Sequence, residues 1–179
     1  MKALLRLRGF TLIELLITMA LAAIMLALAA PALQGMLANQ RVSAAASELM
    51  TTAMQTRSAA LKYNQRVIAQ PVEGATGAWA DGWRIFVDAN ENSTFDSGTD
   101  TLVLTHEALP SGVSIAKVTG VNNYFGYEGS GFASRIGGVP NSRWKISAAG
   151  TNRVRCMVVE SSGRARIDDP RPLTTCPTS

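Results

Sequence analysis

No charged side chain interrupts residues 15–33 (LLITMALAAIMLALAAPAL), and most positions in this run are Leu, Ala, Ile or Met. An α-helix rises about 1.5 Å per residue, so about 20 such residues cross a bilayer core of about 30 Å. The whole chain has 179 residues, enough for one modest domain, and a core helix of that apolar length has little to bury it. The run predicts a membrane-inserted helix. Lys2, Arg6 and Arg8 precede it, and no acidic residue appears before Glu14. Positive flanks stay cytoplasmic, so the N-terminus is inside and the rest is exported. A cleaved secretory signal would end in small residues, and ALAAPAL at 27–33 imitates such an end, so flanks and hydropathy do not separate an anchor from a signal.

Glu14 breaks the pattern. An unpaired carboxylate in hydrocarbon costs at least about 2.5–3.5 kcal/mol on insertion scales, yet this one sits at the mouth of the apolar run. The order of features is a short basic leader, Gly9, Phe10, Thr11, Glu14, then the run. It resembles the class III signal of type IV pilins and pseudopilins. The resemblance implies that a prepilin peptidase cuts between Gly9 and Phe10 on the cytoplasmic side and methylates the new N-terminus. It implies a use for Glu14 as well, since in that family the carboxylate meets the N-terminal amine of a neighbouring subunit during assembly. A buried charge becomes tolerable once an opposite charge is supplied. Residues 1–9 are then the cleaved leader, 10–33 the transmembrane and assembly helix, and 34–179 a periplasmic or extracellular globular domain. The implied partners are the prepilin peptidase, other major and minor pilins, and the inner membrane before assembly. The protein would start in the bacterial inner membrane and end in the periplasm or a surface pilus. Pro31 is expected to kink the helix by removing one hydrogen bond.

Past Pro31 the chain turns amphipathic. Leu33, Leu37, Ala45, Leu49, Ala53, Ala60 and Leu61 recur at three-to-four spacing, with Arg41, Glu48, Arg57 and Lys62 between them, which predicts one helix from about Leu12 to Asn64. Short strands follow, at Arg66–Gln70, Gly82–Val87, Thr101–His106, Val113–Val118, Tyr124–Tyr127, Arg143–Ser147 and Arg153–Glu160. The last opens a hairpin whose turn lies in ESSGRAR, with Gly163 free to take positive φ. The Gly-rich stretch Gly126–Gly138 reads as a mobile loop. A long helix followed by antiparallel strands is an α+β pattern. Residues 82–103 (GWRIFVDANENSTFDSGTDTLV) resemble the central signature of the GspH/FimT family of minor pilins and pseudopilins. That family implies a pilin fold, the long helix packed on an antiparallel sheet, and the alternation of Trp83, Ile85 and Val87 with Arg84 and Phe86 predicts a strand that covers the helix with the first three.

The same stretch carries Asp88, Asn90, Asn92, Asp96 and Asp100, hard oxygen donors of the kind Ca²⁺ prefers. Counted from Asp88, however, Ser93 and Thr99 stand where an EF-hand needs Gly and Glu, and Asp and Asn also simply favour tight turns. Catalysis finds no footing: His106 is the one histidine, and no nucleophile, metalloprotease or phosphate-loop motif accompanies it. No cofactor is expected, and an enzyme is not the expected reading. Cys156 and Cys176 are the only cysteines. In an oxidising compartment they pair, closing the tail DDPRPLTTCPTS.

Charge is segregated along the chain. Between Glu73 and Glu107 there are seven acidic residues and one basic one, while residues 135–171 carry eight basic and three acidic. The basic set is Arg135, Arg143, Lys145, Arg153, Arg155, Arg164, Arg166 and Arg171. Arginine suits phosphate through its planar donor fork, and alternation puts Arg153 with Arg155 on one face, and Arg164 with Arg166. If the hairpin forms, the pairs predict one compact anion-binding patch that holds double-stranded DNA by its backbone. GRAR, with Gly163, Arg164 and Arg166, also matches the G-R-x-R motif of DNA-binding FimT-type pilins. Asp168 and Asp169 oppose the patch. The expected function is therefore a minor type IV pilin that binds DNA for natural transformation. The alternative is a minor pseudopilin at the tip of a type II secretion filament, contacting protein only.

Overall fold

The computed structural model describes residues 10–119, 123–134, 142–170 and 175–176, and within the helix the side chains of residues 30–32 fall outside the description. One α-helix, α1 (Leu12–Tyr63), runs for 52 residues. Residues up to Leu37 and residues from Ala38 onward form two compact units.

In the first unit α1 has a built start. The Thr11 hydroxyl accepts the backbone N–H of Glu14 at 3.2 Å, and the Thr11 carbonyl accepts that of Leu15 at 3.2 Å. Thr11 is thus the N-cap, with Glu14 at the third helical position where an acidic residue also complements the helix dipole. Residues 10–29 are all exposed, and α1 contains a window of mean hydropathy 2.5, long and apolar enough to cross a membrane. The helix continues through Pro31.

The second unit is built on the rest of α1. Its buried stripe is Ala38, Val42, Ala45, Ala46, Leu49, Ala53, Ala59 and Ala60, at the three-to-four spacing of one helix face. Leu33, Leu37 and Leu61, expected on that face, are exposed. Two buried threonines fit among these small side chains. Thr52 and Thr56 donate to the carbonyls of Glu48 and Thr52 at 2.9 and 2.7 Å, so their burial leaves no hydroxyl unpaired. Asn64, at φ 51°, ends the helix in the left-handed conformation that Asn tolerates.

Eight strands follow: β1 (Val67–Pro71), β2 (Trp83–Val87), β3 (Thr101–His106), β4 (Val113–Thr119), β5 (Phe125–Tyr127), β6 (Ser142–Ala148), β7 (Val154–Val159) and β8 (Ala165–Asp168). They form two four-stranded sheets, ordered β3-β2-β1-β5 and β4-β6-β7-β8, and every pairing is antiparallel. The fold is the expected α+β pilin architecture, with two sheets where one was expected. Trp83, Ile85 and Val87 join the helix stripe in the main core as the alternation predicted, together with Trp79, Phe125, Trp144, Ile146 and Met157. The rings of Trp79 and Phe125 stack at 5.3 Å, and Trp144 meets Phe125 edge-on at 5.1 Å. Trp83 donates its ring N–H to Thr52 at 2.9 Å and stacks on His106 at 3.8 Å. His106 is a packing residue here. The outer face of β1 and β2 has its own small core of Ile68, Phe86 and Tyr124, covered by Phe95 from the Asp/Asn loop.

Candidate functional site

The Asp/Asn loop is a self-capped turn. Asp88 is buried and paired with Arg66, whose Nε donates at 3.0 Å, and it also accepts the backbone N–H groups of Asn92 and Ser93 at 3.2 and 2.9 Å. Asp100 accepts those of Ala89 and Asp96 at 3.0 and 2.9 Å. Asp96 accepts the side-chain amides of Asn90 and Asn92, which hold its carboxyl below the usual carboxylate range. Apart from Asp96 Oδ1, each side-chain oxygen named as a calcium donor accepts a backbone, amide or guanidinium hydrogen bond, the turn-forming use of Asp and Asn. Glu91 and Ser93 take positive φ, 58° and 65°.

The arginine patch takes a different shape from the one expected. Residues paired across an antiparallel ladder lie on the same face. Val158 pairs with Arg166 and Cys156 with Asp168, while Arg143 pairs with Val158 and Lys145 with Cys156. Arg143, Lys145, Cys156, Arg166 and Asp168 therefore share one face of the sheet. Arg155 pairs with Ile146 and lies on the other face with Trp144 and Met157. The register places the two arginine pairs back to back, so no single compact patch forms.

Carboxylates pair with three of these cations. Arg166 donates to both oxygens of Asp168 at 2.9 Å and to Glu160 at 3.2 Å. Arg153 and Arg155 both reach Asp169, at 3.5 and 3.8 Å. Arg143 is buried, 7% exposed, and Lys145 is half-buried. Arg164 differs: it is exposed and has no ion pair among the described residues. Arg171, Arg135 and Gly9 lie outside the described residues. Cys156 and Cys176 form the expected disulfide, their Cα atoms 5.8 Å apart.

Gly163 has a packing reason to be glycine. Its φ is +83°, and a Cβ there would lie 2.1 Å from the carbonyl oxygen of Gly131. The turn between β7 and β8 is closed by Gly163 N–H to the Glu160 carbonyl and Glu160 N–H to the Arg164 carbonyl, both at 2.9 Å. It presses on the loop after β5. That loop is held by Gly131 N–H to Glu128 at 2.7 Å, Glu128 N–H to Phe132 at 3.0 Å, Ser134 N–H to Gly126 at 2.9 Å and Ala133 N–H to Ser161 at 3.3 Å. The first half of the expected mobile stretch is thus tied down, while residues 135–138 lie outside the described part. Phe132 in this loop, 59% exposed, carried no signal in the sequence beyond being an aromatic residue in a Gly-rich stretch that also holds Tyr127.

In the first unit Glu14 is exposed and has no partner among the described residues beyond its own backbone contact with Thr11. A capped helix with an apolar first half, two antiparallel sheets and a disulfide-closed tail define a filament-subunit fold of the pilin class. The comparisons with known proteins agree. Residues 6–30 match the prokaryotic N-terminal methylation motif, and residues 45–163 match the family model described as type II transport protein GspH. The chain belongs to the GspH family. It resembles the type IV minor pilin FimU of Pseudomonas aeruginosa, with a TM-score of 0.56 and 15% identity over 74% of this chain and 95% of that one. It resembles the minor pseudopilin EpsH from the type 2 secretion system of Vibrio cholerae similarly, with a TM-score of 0.53 and 10% identity over 73% of this chain and 98% of that one. At these identities the likeness establishes the fold. No curated protein matches the sequence significantly.

Proposed function

We propose that the chain is a non-enzymatic minor subunit of a type IV filament that contacts DNA at the β7–β8 turn. In this reading a prepilin peptidase releases residues 1–9 and methylates Phe10, residues 10–33 anchor the subunit in the inner membrane, and residues 34–179 form the exported domain. Glu14 is held in reserve for the N-terminal amine of a neighbouring pilin. One observation carries the DNA contact: Arg164 is exposed and unpaired on a turn that packing holds rigid. Arg166 is a weaker contributor than its place in GRAR suggests, because phosphate must compete with Glu160 and Asp168 for it. The same ion pairs favour a second reading, a secretion-filament subunit whose arginines stabilise its own sheet and which meets only protein.

The test uses the mature full-length chain in mild detergent. Mass spectrometry should find methylated Phe10 at its N-terminus, and a start near residue 32 would refute the filament assignment. Duplex DNA should bind weakly and without sequence preference, with affinity falling steeply as salt rises. Arg164→Gln should weaken binding and flatten the salt slope by about one unit, and Arg41→Gln should change neither. Equal losses from both would reduce the contact to general electrostatics. No binding at low salt would leave the secretion-filament reading.

A further inference from the structure

Among the strands and loops that follow α1, Phe132 is the most exposed large apolar side chain of the described residues, at 59%. Isolated exposed apolar residues are common on soluble proteins, and what sets this one apart is its support. Its loop is fixed by the four backbone hydrogen bonds given above, two of which make the bridge between Tyr127 and Ala133. Its backbone abuts the Arg164 turn, since a Cβ at Gly163 would lie 3.3 Å from the Phe132 Cα. A second cation lies under the loop: Arg57 Nε is 3.4 Å from the position a Cβ at Gly131 would take. A rigidly mounted ring with a free guanidinium on the adjoining turn joins two features of single-strand binding surfaces, a face for a base and a charge for the backbone.

We propose that Phe132 is a stacking platform for an unpaired base, so that the Arg164 corner takes single-stranded DNA in preference to duplex. The inference rests on the DNA reading of that corner. The ring supplies contact that a base-paired, stacked nucleotide cannot use, while Arg164 holds the neighbouring phosphate. The unpaired Arg164 on the adjoining turn favours a polyanion over an apolar protein surface as occupant, since Glu128 in the same loop is engaged by the Ser134 hydroxyl and Glu160 by Arg166.

The experiment titrates the detergent-solubilised full chain with a fluorescent oligothymidylate and with a blunt duplex of mixed sequence. Phe132→Ala should weaken oligothymidylate binding by roughly 5- to 150-fold, the range for removing a base-stacking aromatic, and leave duplex binding within about twofold. Phe132→Trp should restore it. Because the ring is exposed, unchanged melting of both variants checks that folding is intact. If Phe132→Ala leaves oligothymidylate binding intact while Arg164→Gln weakens both ligands, the platform is wrong and the DNA contact stands. If the unsubstituted chain binds neither ligand at low salt, the DNA contact and the platform fall together.

Discussion

Gly163→Ala measures how much of the GRAR motif is packing. Two costs apply. The left-handed backbone at φ +83° penalises a Cβ by roughly 1–2 kcal/mol, partly offset by about 0.4–1 kcal/mol because Ala has less freedom in the unfolded chain. The new Cβ would also sit 2.1 Å from the Gly131 carbonyl oxygen and 3.3 Å from the Phe132 Cα. Backbone must move by about an ångström to admit it, and overpacking of this kind costs about 1–3 kcal/mol. The total is about 2–4 kcal/mol. Gly74 isolates the first cost, with φ +84° and nothing within 4 Å of an added Cβ, so Gly74→Ala should cost only about 1 kcal/mol by the same backbone argument. For a chain of this size each kcal/mol lowers the melting temperature by roughly 2–4 °C. Near-ultraviolet circular dichroism, which follows the tryptophan core, should place Gly163→Ala roughly 4–16 °C below the unsubstituted chain and Gly74→Ala roughly 2–4 °C below it. Equal melting of the two variants would show that the turn does not press on the Gly131 loop, and the rigid mounting of Phe132 would be lost with it.

Asp88→Asn should be the most damaging change in the Asp/Asn loop, costing about 3–5 kcal/mol because it leaves the Arg66 guanidinium buried without its counter-charge; a melting temperature within a few degrees of the unsubstituted chain would refute the buried pair. The phenol of Tyr127 is pushed up to about 12, chiefly by burial, with Arg57 pulling the other way. Its folded value exceeds its ordinary one, so its contribution is fully present below about pH 10 and is lost as pH rises through about 12. Tyrosinate absorbance, taken as the difference from Tyr127→Phe, should therefore appear only near pH 12, and a midpoint near 10 would show that the ring is not buried.

The helix was legible because its signals are local. An apolar run, a three-to-four repeat and a change of texture after Asn64 predicted Leu12–Asn64, and α1 ends at Tyr63. The exposed positions of Leu33, Leu37 and Leu61 were missed because the sheets pack on alanines, which hydrophobicity alone underweights. The division into two sheets was missed for a different reason. Alternation tells which side chains share a face of one strand, but it does not tell which strands pair. The same limit undid the arginine patch. Within each strand Arg153 and Arg155, or Arg164 and Arg166, keep company by the period of two. Whether the two pairs meet depends on the register across the turn, and a slip of one residue moves one pair to the opposite face. Here Val158 meets Arg166, and the pairs part. The signal that could have found this lay in ESSG: a turn closing Glu160 onto Arg164 fixes every later pairing.

The G-R-x-R match must then be divided among its residues before it can argue for function. Gly163 is demanded by the Gly131 carbonyl, and Arg166 by Glu160 and Asp168; both would be needed in a subunit that never met DNA. Only Arg164 has no internal use. Glu14 stands in the same position within the first unit, a charge with no partner among the described residues, which a bilayer would desolvate at a cost. Charges that the fold itself leaves unpaired are the economical places to look for an external one: an amine for Glu14, a phosphate for Arg164. Filament assembly and nucleic-acid contact would then draw on different residues in different units, so that Arg164→Gln is expected to weaken binding without disturbing assembly, and Glu14→Ala to impair assembly without weakening binding.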